Sequence, residues 1–416
     1  MKIFKFGGAS VKDAAGVQNV VSVLKEVGFN DTLIIISAMG KTTNALEKVI
    51  HCYFENKNEL KAAIQELIDF HGQILTTLFP NENATASDKV KLLFEELQGF
   101  LSWNKSPNYS FVYDQVVCYG ELISTTIVSE YLNSCGVKNT WIDVRDVIKT
   151  DTNYRDAGVD WQQTQTKINQ QIQKNQLYIT QGFLGSDQNN FTTTLGREGS
   201  DYTAAIFAYC LNAESVTIWK DVPGVLNADP RHFKETELLN QISYEEAIEL
   251  AFYGASVIHP KTLQPLQRKE IPLYVKSFVS PSGNGTAVTK GHRIEPEIPC
   301  FIVKKNQVLL SLSTLDFSFM VEENISEVFK LLADHKMKVS MIQNSAISFS
   351  VCITNKYDTL AELLSILKAK FKVDCYENVS LYTIRHFNEK AINGIEQDKE
   401  ILLKQVSTET VQMVVK

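Results

Sequence analysis

Short apolar runs alternate with helical stretches over most of this chain, and this alternation constrains the fold more than any other feature of the sequence. The run Thr32–Ser37 is apolar at consecutive positions, which is typical of a strand buried on both faces. Val11–Val27 carries valine and leucine at helical spacing. The alternation predicts an α/β fold with three layers, in which helices cover both faces of a mostly parallel sheet. Further strands are predicted at Ile3–Phe6, Thr140–Val144, Leu177–Thr180, Val216–Lys220 and Leu273–Ser277, and helices at Asp201–Leu211 and Tyr244–Tyr253.

Composition excludes several classes of protein. The chain has 416 residues, of which 44% are hydrophobic and 21% charged, so a largely disordered chain is excluded. A formal net charge of −7 argues against a general nucleic-acid binder, which needs a basic face. We expect no signal peptide and no membrane span, and the seven cysteines are scattered without a C-x-x-C motif. We therefore expect a cytoplasmic protein with free thiols and no membrane or nucleic-acid partner.

The chain divides into a large first domain and a smaller C-terminal region. Residues 44–103 are rich in helix formers and are predicted to be a helical insertion. Prolines and glycines cluster between Ser280 and Cys300, which indicates a boundary. Beyond it the pattern is strand, helix, strand, strand, helix, strand, the order of a ferredoxin-like unit, followed by a shorter second unit. The predicted domains are residues 1–295, residues 296–386, and residues 387–416 sharing the strand around 376–386.

Two glycine-rich turns are candidates for binding an anion. In K-F-G-G-A-S at Lys5–Ser10 a strand ends, Gly7 and Gly8 turn the chain, and a helix follows, so backbone N–H groups can approach a phosphate. In G-R-E-G-S-D at Gly196–Asp201 glycines again precede an apolar helix, and Arg197 offers a planar fork for a carboxylate or phosphate. Helix capping alone would also explain each turn.

A third candidate is the loop K-D-V-P-G-V-L-N-A-D-P-R at Lys220–Arg231, which leaves a predicted strand. Open α/β sheets bind ligands beyond the carboxyl ends of their strands, so Lys220, Asp221 and Arg231 are plausible nucleotide contacts. An ordinary charged loop is the alternative. Two other nucleotide-binding motifs are absent. Gly40-Lys41-Thr42 resembles the end of a P-loop, but Ile35 stands where that motif requires its first glycine, and no G-x-G-x-x-G follows a strand.

Together these motifs resemble those of aspartokinases, enzymes of the amino acid kinase family with C-terminal ACT domains. The matching segments occur in the same order along nearly the whole chain. They are K-F-G-G-A-S at Lys5, S-A-M-G-K-T-T-N at Ser37, Gly120-Glu121, Q-G-F-L-G at Gln181, T-L-G-R-E-G-S-D-Y-T-A at Thr194, D-V-P-G and A-D-P-R from Asp221, and G-A-S-V-I-H-P at Gly254.

The resemblance implies ATP- and Mg²⁺-dependent phosphorylation of the side-chain carboxylate of L-aspartate, the first step toward lysine, threonine and methionine. It implies that Lys5 stabilises the transferring phosphoryl group and that Asp201 orients Lys5 or the γ-phosphate. It implies an amino-acid site formed by Thr43, Glu121, Phe183, Arg197 and Ser200. It implies an ATP site formed by Gly7, Gly8, Ser37, Gly199, Lys220, Asp221 and Arg231. The sequence shows no dedicated carboxylate cage, so we expect no protein metal ligand and a Mg²⁺ ion held largely by ATP. A homodimer formed through the ACT-like units is expected, with an amino-acid effector possible there.

The sequence departs from the aspartokinase pattern at several positions. Ala9 replaces the usual threonine of the first motif, and Leu226 replaces a common tyrosine. Ser256 stands where a lysine is usual, and Lys261 is a candidate to compensate for it. Ser340 and Ala346 stand where lysine-sensitive members usually carry carboxylates, so we expect weak or absent inhibition by lysine.

Two other functions fit parts of the pattern. Another amino acid kinase, such as glutamate 5-kinase, is one, because one methylene of substrate length changes binding by only ~1–3 kcal/mol. The ACT-like tail and Gly120-Glu121 favour aspartate. A non-catalytic amino-acid sensor is the other, and the joint presence of Lys5, Arg197 and Asp201 argues against it.

Overall fold

The computed structural model describes residues 1–81, 84–255, 258–291, 293–316, 318–397 and 399–416. The chain forms two compact units. The first comprises Met1–Val225, Leu238–Ile248 and Val257–Ile294, and the second comprises Leu226–Glu237, Glu249–Ser256 and Glu295–Lys416.

The first unit is built on a long, mostly parallel sheet. The strands of this sheet are β1 (Lys2–Phe6), β2 (Thr32–Ile36), β3 (Thr140–Ile142), β4 (Leu177–Gln181), β7 (Ser215–Lys220), β8 (Gln241–Ser243), β9 (Leu273–Ser277), β10 (Thr286–Thr289) and β11 (Ile294–Glu295). Two further strands, β5 (Leu184–Ser186) and β6 (Thr192–Thr194), form a small separate hairpin. The strand order is β11-β8-β10-β9-β7-β1-β2-β4-β3. From β3 to β9 every pairing is parallel, and β10 is antiparallel to β9. All five residues of β2 are buried, as the apolar run predicts.

Helices connect these strands. They are α1 (Ala14–Val27), α2 (Thr42–Glu55), α3 (Lys57–Leu78), α4 (Ala84–Trp103), α5 (Tyr109–Val117), α6 (Tyr119–Ser134), α7 (Val144–Val147), α8 (Trp161–Gln171), α9 (Gly199–Leu211), α10 (Tyr244–Tyr253) and α11 (Pro260–Lys269). Phe4 and Phe6 of β1 belong to one apolar cluster with α1 to α6, whereas Lys5, on the opposite face of the strand, lies against α9. Because strand side chains alternate between faces, helices cover both sides of the sheet, and the predicted three-layer α/β fold is confirmed.

The second unit contains an antiparallel sheet. Its elements are β12 (Cys300–Thr314), α12 (Glu322–Asp334), β13 (Lys338–Asn344), β14 (Ser348–Thr354), α13 (Leu360–Lys368), β15 (Phe371–Arg385), α14 (Glu389–Glu396), β16 (Ile401–Val406) and β17 (Thr410–Val415). The strand order is β13-β14-β12-β15-β17-β16. The first four strands reproduce the predicted ferredoxin-like arrangement, with α12 and α13 packed on one face of the sheet.

The first strand of this sheet is longer than the sequence predicts. The pattern predicts a strand at Val308–Ser313, but β12 begins at Cys300 and pairs with β15 from Cys300↔Arg385 to Thr314↔Phe371. The pairing register shifts between Lys304 and Gln307, and Asn306 has a left-handed φ of 56°. This irregularity lets a polar segment stay in the sheet. β12 and β15 are long strands shared by both ferredoxin-like units, so the sheet has no break near residue 386. The predicted boundary between the two units at that residue therefore stays a prediction.

Two other features of the described residues bear on the sequence expectations. No disulfide bond joins the cysteines. Among the helices that the structure describes, none combines the length and apolar character needed to span a bilayer.

Candidate active site

The first glycine turn lies at the carboxyl end of β1. Gly8 starts a short 3₁₀ helix over Gly8–Val11, and Gly7 precedes it in an extended conformation. A Cβ atom on Gly8 would lie 2.8 Å from the carbonyl oxygen of Ala38, so only glycine fits without moving the backbone. This close approach fixes the turn against the loop that follows β2.

The second glycine turn forms the start of α9. Glu198 is the N-cap residue and has a left-handed φ of 55°. A Cβ atom on Gly199 would lie 2.6 Å from Cδ2 of Phe183, so the helix start packs directly on that ring. The amide of Gly199 donates to the carbonyl of Gly196 at 3.1 Å, and its predicted role as a phosphate donor therefore requires this turn to open.

The fold brings the two turns together. Nζ of Lys5 lies 2.7 Å from Oδ1 of Asp201, and both side chains are largely buried, at 11% and 5% exposure. Lys5 is near the end of β1, and Asp201 is in the first turn of α9. The carboxylate partner holds the buried lysine in one place, at the point where the two glycine turns meet.

A cavity of about 580 Å³ opens beside this pair. The predicted residues that line it are Lys5, Gly8, Ser37, Thr43, Glu121, Phe183, Arg197, Gly199, Ser200, Asp201 and Lys220. The cavity therefore collects the predicted amino-acid residues and most of the predicted ATP residues. A volume of this size is ordinary for a small-molecule site.

Three predicted ATP residues do not line the cavity. Gly7 is next to it, since a Cβ atom there would lie 3.3 Å from Nζ of Lys5. Asp221 is exposed and follows Lys220 at the end of β7. Arg231 belongs to the second unit, where its guanidinium forms an ion pair of 2.6 Å with Asp229. The assignment of these three residues to ATP stays a prediction.

Glu121 is the buried carboxylate of the cavity, with 3% of its surface exposed. Its Oε1 accepts a hydrogen bond from the amide of Ala38 at 3.2 Å, and its Oε2 has no hydrogen-bond partner among the described residues. Burial raises the pKa of this carboxyl group to about 8, although the Ala38 amide and the charge of Lys5 act in the opposite direction. A cationic group that reached Oε2 would find an acceptor already in place.

Sequence reasoning missed other residues of the cavity wall. Tyr113 of α5, Arg155 and Glu198 all line it. Arg155 lies in the connection between α7 and α8, a segment that matches none of the recognised motifs. An arginine in a polar connection carries no local signal, since its position depends on residues distant in the chain.

The residues that depart from the aspartokinase motifs differ in their exposure and contacts. Ala9 is exposed, and Leu226 is partly buried. Ser256 lies outside the described residues. Lys261 forms an ion pair with Asp156, so its charge is already engaged there.

Comparison with known proteins identifies the family of this chain. The family model described as "Amino acid kinase family" matches residues 1–277. Lysine-sensitive aspartokinase 3 of Escherichia coli (strain K12) is 33% identical over 400 residues, covering 92% of this chain and 86% of that protein. The crystal structure of E. coli aspartokinase III with lysine and aspartate (T-state) superposes with a TM-score of 0.84 at 30% identity, covering 100% of this chain and 96% of that one. Its complex with aspartate and ADP (R-state) gives a TM-score of 0.80 at 29% identity, with the same coverage.

The chain therefore belongs to the amino acid kinase family. The relatives it matches over nearly its whole length are aspartokinases, which confirms the resemblance seen in the motifs.

Proposed function

We propose that this chain is an aspartokinase, which transfers the γ-phosphoryl group of ATP to the side-chain carboxylate of L-aspartate and forms 4-phospho-L-aspartate. The observation that carries the proposal is the Lys5–Asp201 pair, which lies between the two glycine turns and beside a cavity that also holds Glu121 and Arg197. The E. coli relative that this chain matches binds aspartate and ADP.

The chemistry suits the residues present. A carboxylate is already a nucleophile, so the transfer needs no strong base. Phosphoryl transfer is then mostly alignment and neutralisation of negative charge on the moving group. Lys5 supplies a positive charge for this purpose, and Asp201 holds that charge in position.

The cavity divides into an amino-acid part and a nucleotide part. Arg197 pairs with the α-carboxylate of aspartate, and Oε2 of Glu121 accepts from its α-ammonium group. Thr43, Phe183 and Ser200 complete the amino-acid part. The nucleotide contacts of the first unit are Gly7, Gly8, Ser37, Gly199, Lys220 and Asp221.

Mg²⁺ enters this scheme with ATP. In the described part of the chain, no three histidine, cysteine or carboxylate side chains lie close enough to hold a metal ion. Asp201 is engaged with Lys5, and burial favours the neutral form of Glu121. This donor set fits Mg²⁺ held mainly by phosphate oxygens and water, where it would neutralise phosphate charge.

The proposal extends to regulation and assembly. Phosphorylation of aspartate opens the routes to lysine, threonine and methionine, and the ACT-like sheet of the second unit is the place for an amino-acid effector. The edge strands β13 and β16 expose Ile342, Ile401 and Val406. Edge strands need covering, so we expect the second unit to form a homodimer. Analytical ultracentrifugation tests this, and a monomer at micromolar concentration would contradict it.

The activity is tested by steady-state assays with Mg-ATP, in which hydroxylamine traps the acyl phosphate. Aspartate and glutamate are compared side by side at equal concentrations. We expect aspartyl hydroxamate, with kcat/KM for glutamate lower by about 10- to 100-fold. Faster turnover of glutamate would favour a glutamate 5-kinase, and no acyl phosphate from either substrate would favour the non-catalytic sensor.

A further inference from the structure

An arginine that no motif contains lies at the rim of the active-site cavity. Arg155 is exposed, and its guanidinium carbon lies 4.3 Å from the ring centre of Tyr113 and 5.7 Å from that of Tyr109. Tyr113 and Arg155 both line the cavity. The aromatic contacts hold the guanidinium group at the rim while leaving its N–H groups available to a ligand.

The backbone at this position is unusual for an arginine. Arg155 has a φ of 72°, in the left-handed region that favours glycine. Its amide donates to Oδ2 of Asp114 at 3.0 Å, and this fully buried carboxylate also accepts from the amide and the hydroxyl of Thr194. Thr194 ends β6, just before the turn that carries Arg197. One buried carboxylate therefore positions both arginine-bearing segments.

The charges of the cavity indicate what Arg155 binds. Within the residues that the structure describes, neither Arg155 nor Arg197 forms an ion pair, whereas Lys5 is paired with Asp201. Tyr113 donates to Oε1 of Glu47 at 2.9 Å, and Glu47 lies one helical turn after Thr43 on α2. Arg155 is thus on the side of the cavity assigned to the amino acid.

We propose that Arg155 is a further substrate-binding residue, which binds the α-carboxylate of the amino-acid substrate together with Arg197. This inference rests on the proposed function. Two guanidinium groups can saturate the lone pairs of one carboxylate, and stacking on Tyr113 fixes the plane of one of them. The pair selects substrates that carry a free α-carboxylate.

The test compares Arg155→Ala and Arg155→Lys with the wild-type enzyme. We expect Arg155→Ala to raise KM for aspartate about 10- to 100-fold, the loss of a charge-assisted hydrogen bond, with kcat and KM for ATP nearly unchanged. Arg155→Lys keeps the charge but not the planar fork, so its KM for aspartate should lie between those of the wild-type enzyme and Arg155→Ala. Arg268→Ala, which removes an exposed arginine of α11 outside this cavity, is the matched control.

A substrate analogue identifies the group that Arg155 binds. The α-amide of L-aspartate keeps the side-chain carboxylate but lacks the α-carboxylate. Arg155→Ala should therefore change its KM by less than about twofold. An equal loss for aspartate and the α-amide would overturn the proposal, as would an unchanged KM for aspartate or a rise in KM for ATP alone.

Arg155→Gly separates binding from folding. Glycine relieves the left-handed strain, so this variant should unfold at the same or a higher temperature than the wild-type protein while still losing affinity for aspartate. Loss of stability with no change in KM would show that the residue is only structural. A wild-type chain without aspartokinase activity would refute the proposed function itself, which is a different result from an active enzyme insensitive to these substitutions.

Discussion

Nζ of Lys5 and Oδ1 of Asp201 lie 2.7 Å apart, although the two residues belong to segments far apart in the chain. The contact forms because β1 is central in the sheet and α9 packs across it, with its N-terminus at the carboxyl end of the strand. β1 and β4 are parallel strands of the same sheet, so their carboxyl ends lie at one edge of it. The chain leaves β4 through the β5–β6 hairpin before α9 begins, and this path brings the second glycine turn to the first. In the proposed function, this pair lies between the nucleotide and amino-acid parts of the site.

Lys5→Ala should abolish most turnover. By analogy with the removal of one preorganised donor, we expect kcat to fall about 10²- to 10³-fold, or roughly 3–4 kcal/mol. Initial rates at saturating aspartate and Mg-ATP measure this. Lys25→Ala, on the exposed side of α1, should leave kcat unchanged. A fall of less than about tenfold in Lys5→Ala would contradict the catalytic assignment.

Binding of aspartate should strengthen as pH rises toward 8. The pKa of Glu121 is about 8 in the empty site because of burial, so near neutral pH the carboxyl group must lose a proton before it accepts from the α-ammonium group. We expect the apparent affinity to rise by up to about tenfold per pH unit below pH 8, with proton release on binding. Calorimetry in buffers of different ionisation enthalpy measures that release. Glu121→Gln should bind more weakly and without this pH dependence.

The same carboxyl group should affect stability. Its pKa in the folded state lies above the ordinary value of 4.5 for a glutamate side chain, so protonation favours the folded state, and that contribution is lost as pH rises through about 8. The free energy of unfolding should therefore fall between pH 5 and pH 8 more steeply in the wild-type protein than in Glu121→Gln. Urea denaturation across that range measures the difference, and parallel pH profiles would rule out a buried, neutral Glu121.

Gly8→Ala should damage both stability and activity. The added methyl group would lie 2.8 Å from the carbonyl oxygen of Ala38, so the turn must shift, at a cost of about 1–3 kcal/mol. Gly72→Ala is the matched control, because a Cβ atom in that part of α3 meets nothing within 4 Å. The control should be neutral or stabilising by about 0.5–1 kcal/mol. Thermal unfolding and initial rates are the measurements, and equal behaviour of the two variants would argue against a tight turn.

Lysine should inhibit this enzyme weakly, in contrast to the lysine-sensitive relative. Ser340 Oγ accepts a hydrogen bond from Nζ of Lys304 at 3.2 Å, so this position faces a cation and offers no carboxylate to a lysine effector. Burial and the nearby charge of Lys338 lower the pKa of Lys304, which indicates a basic surrounding. Rates measured against increasing lysine should show no half-inhibition at micromolar concentration. The double variant Ser340→Asp, Ala346→Glu should be more sensitive than the wild-type enzyme.

Local patterns in the sequence were enough to predict much of this protein. The consecutive apolar residues of β2 favour a strand buried on both faces, because the run is short and rich in β-branched side chains. The glycines at Gly8 and Gly199 indicate close approach, since a side chain at either position has no room. The order of strands and helices after residue 300 predicts a ferredoxin-like sheet, because that fold is defined by the sequence of elements along the chain.

Other properties depend on contacts between distant segments, and only the tertiary structure decided them. The polar run Lys304–Gln307 precedes the predicted strand Val308–Ser313, yet it stays in β12 because β15 pairs with Lys304 and with Gln307. The pKa of Glu121 is raised because several elements remove water from it, and no local pattern encodes that desolvation. Arg155 lies in a connection between helices, and it reaches the cavity because Asp114 and Tyr113 of α5 hold its backbone and its guanidinium group.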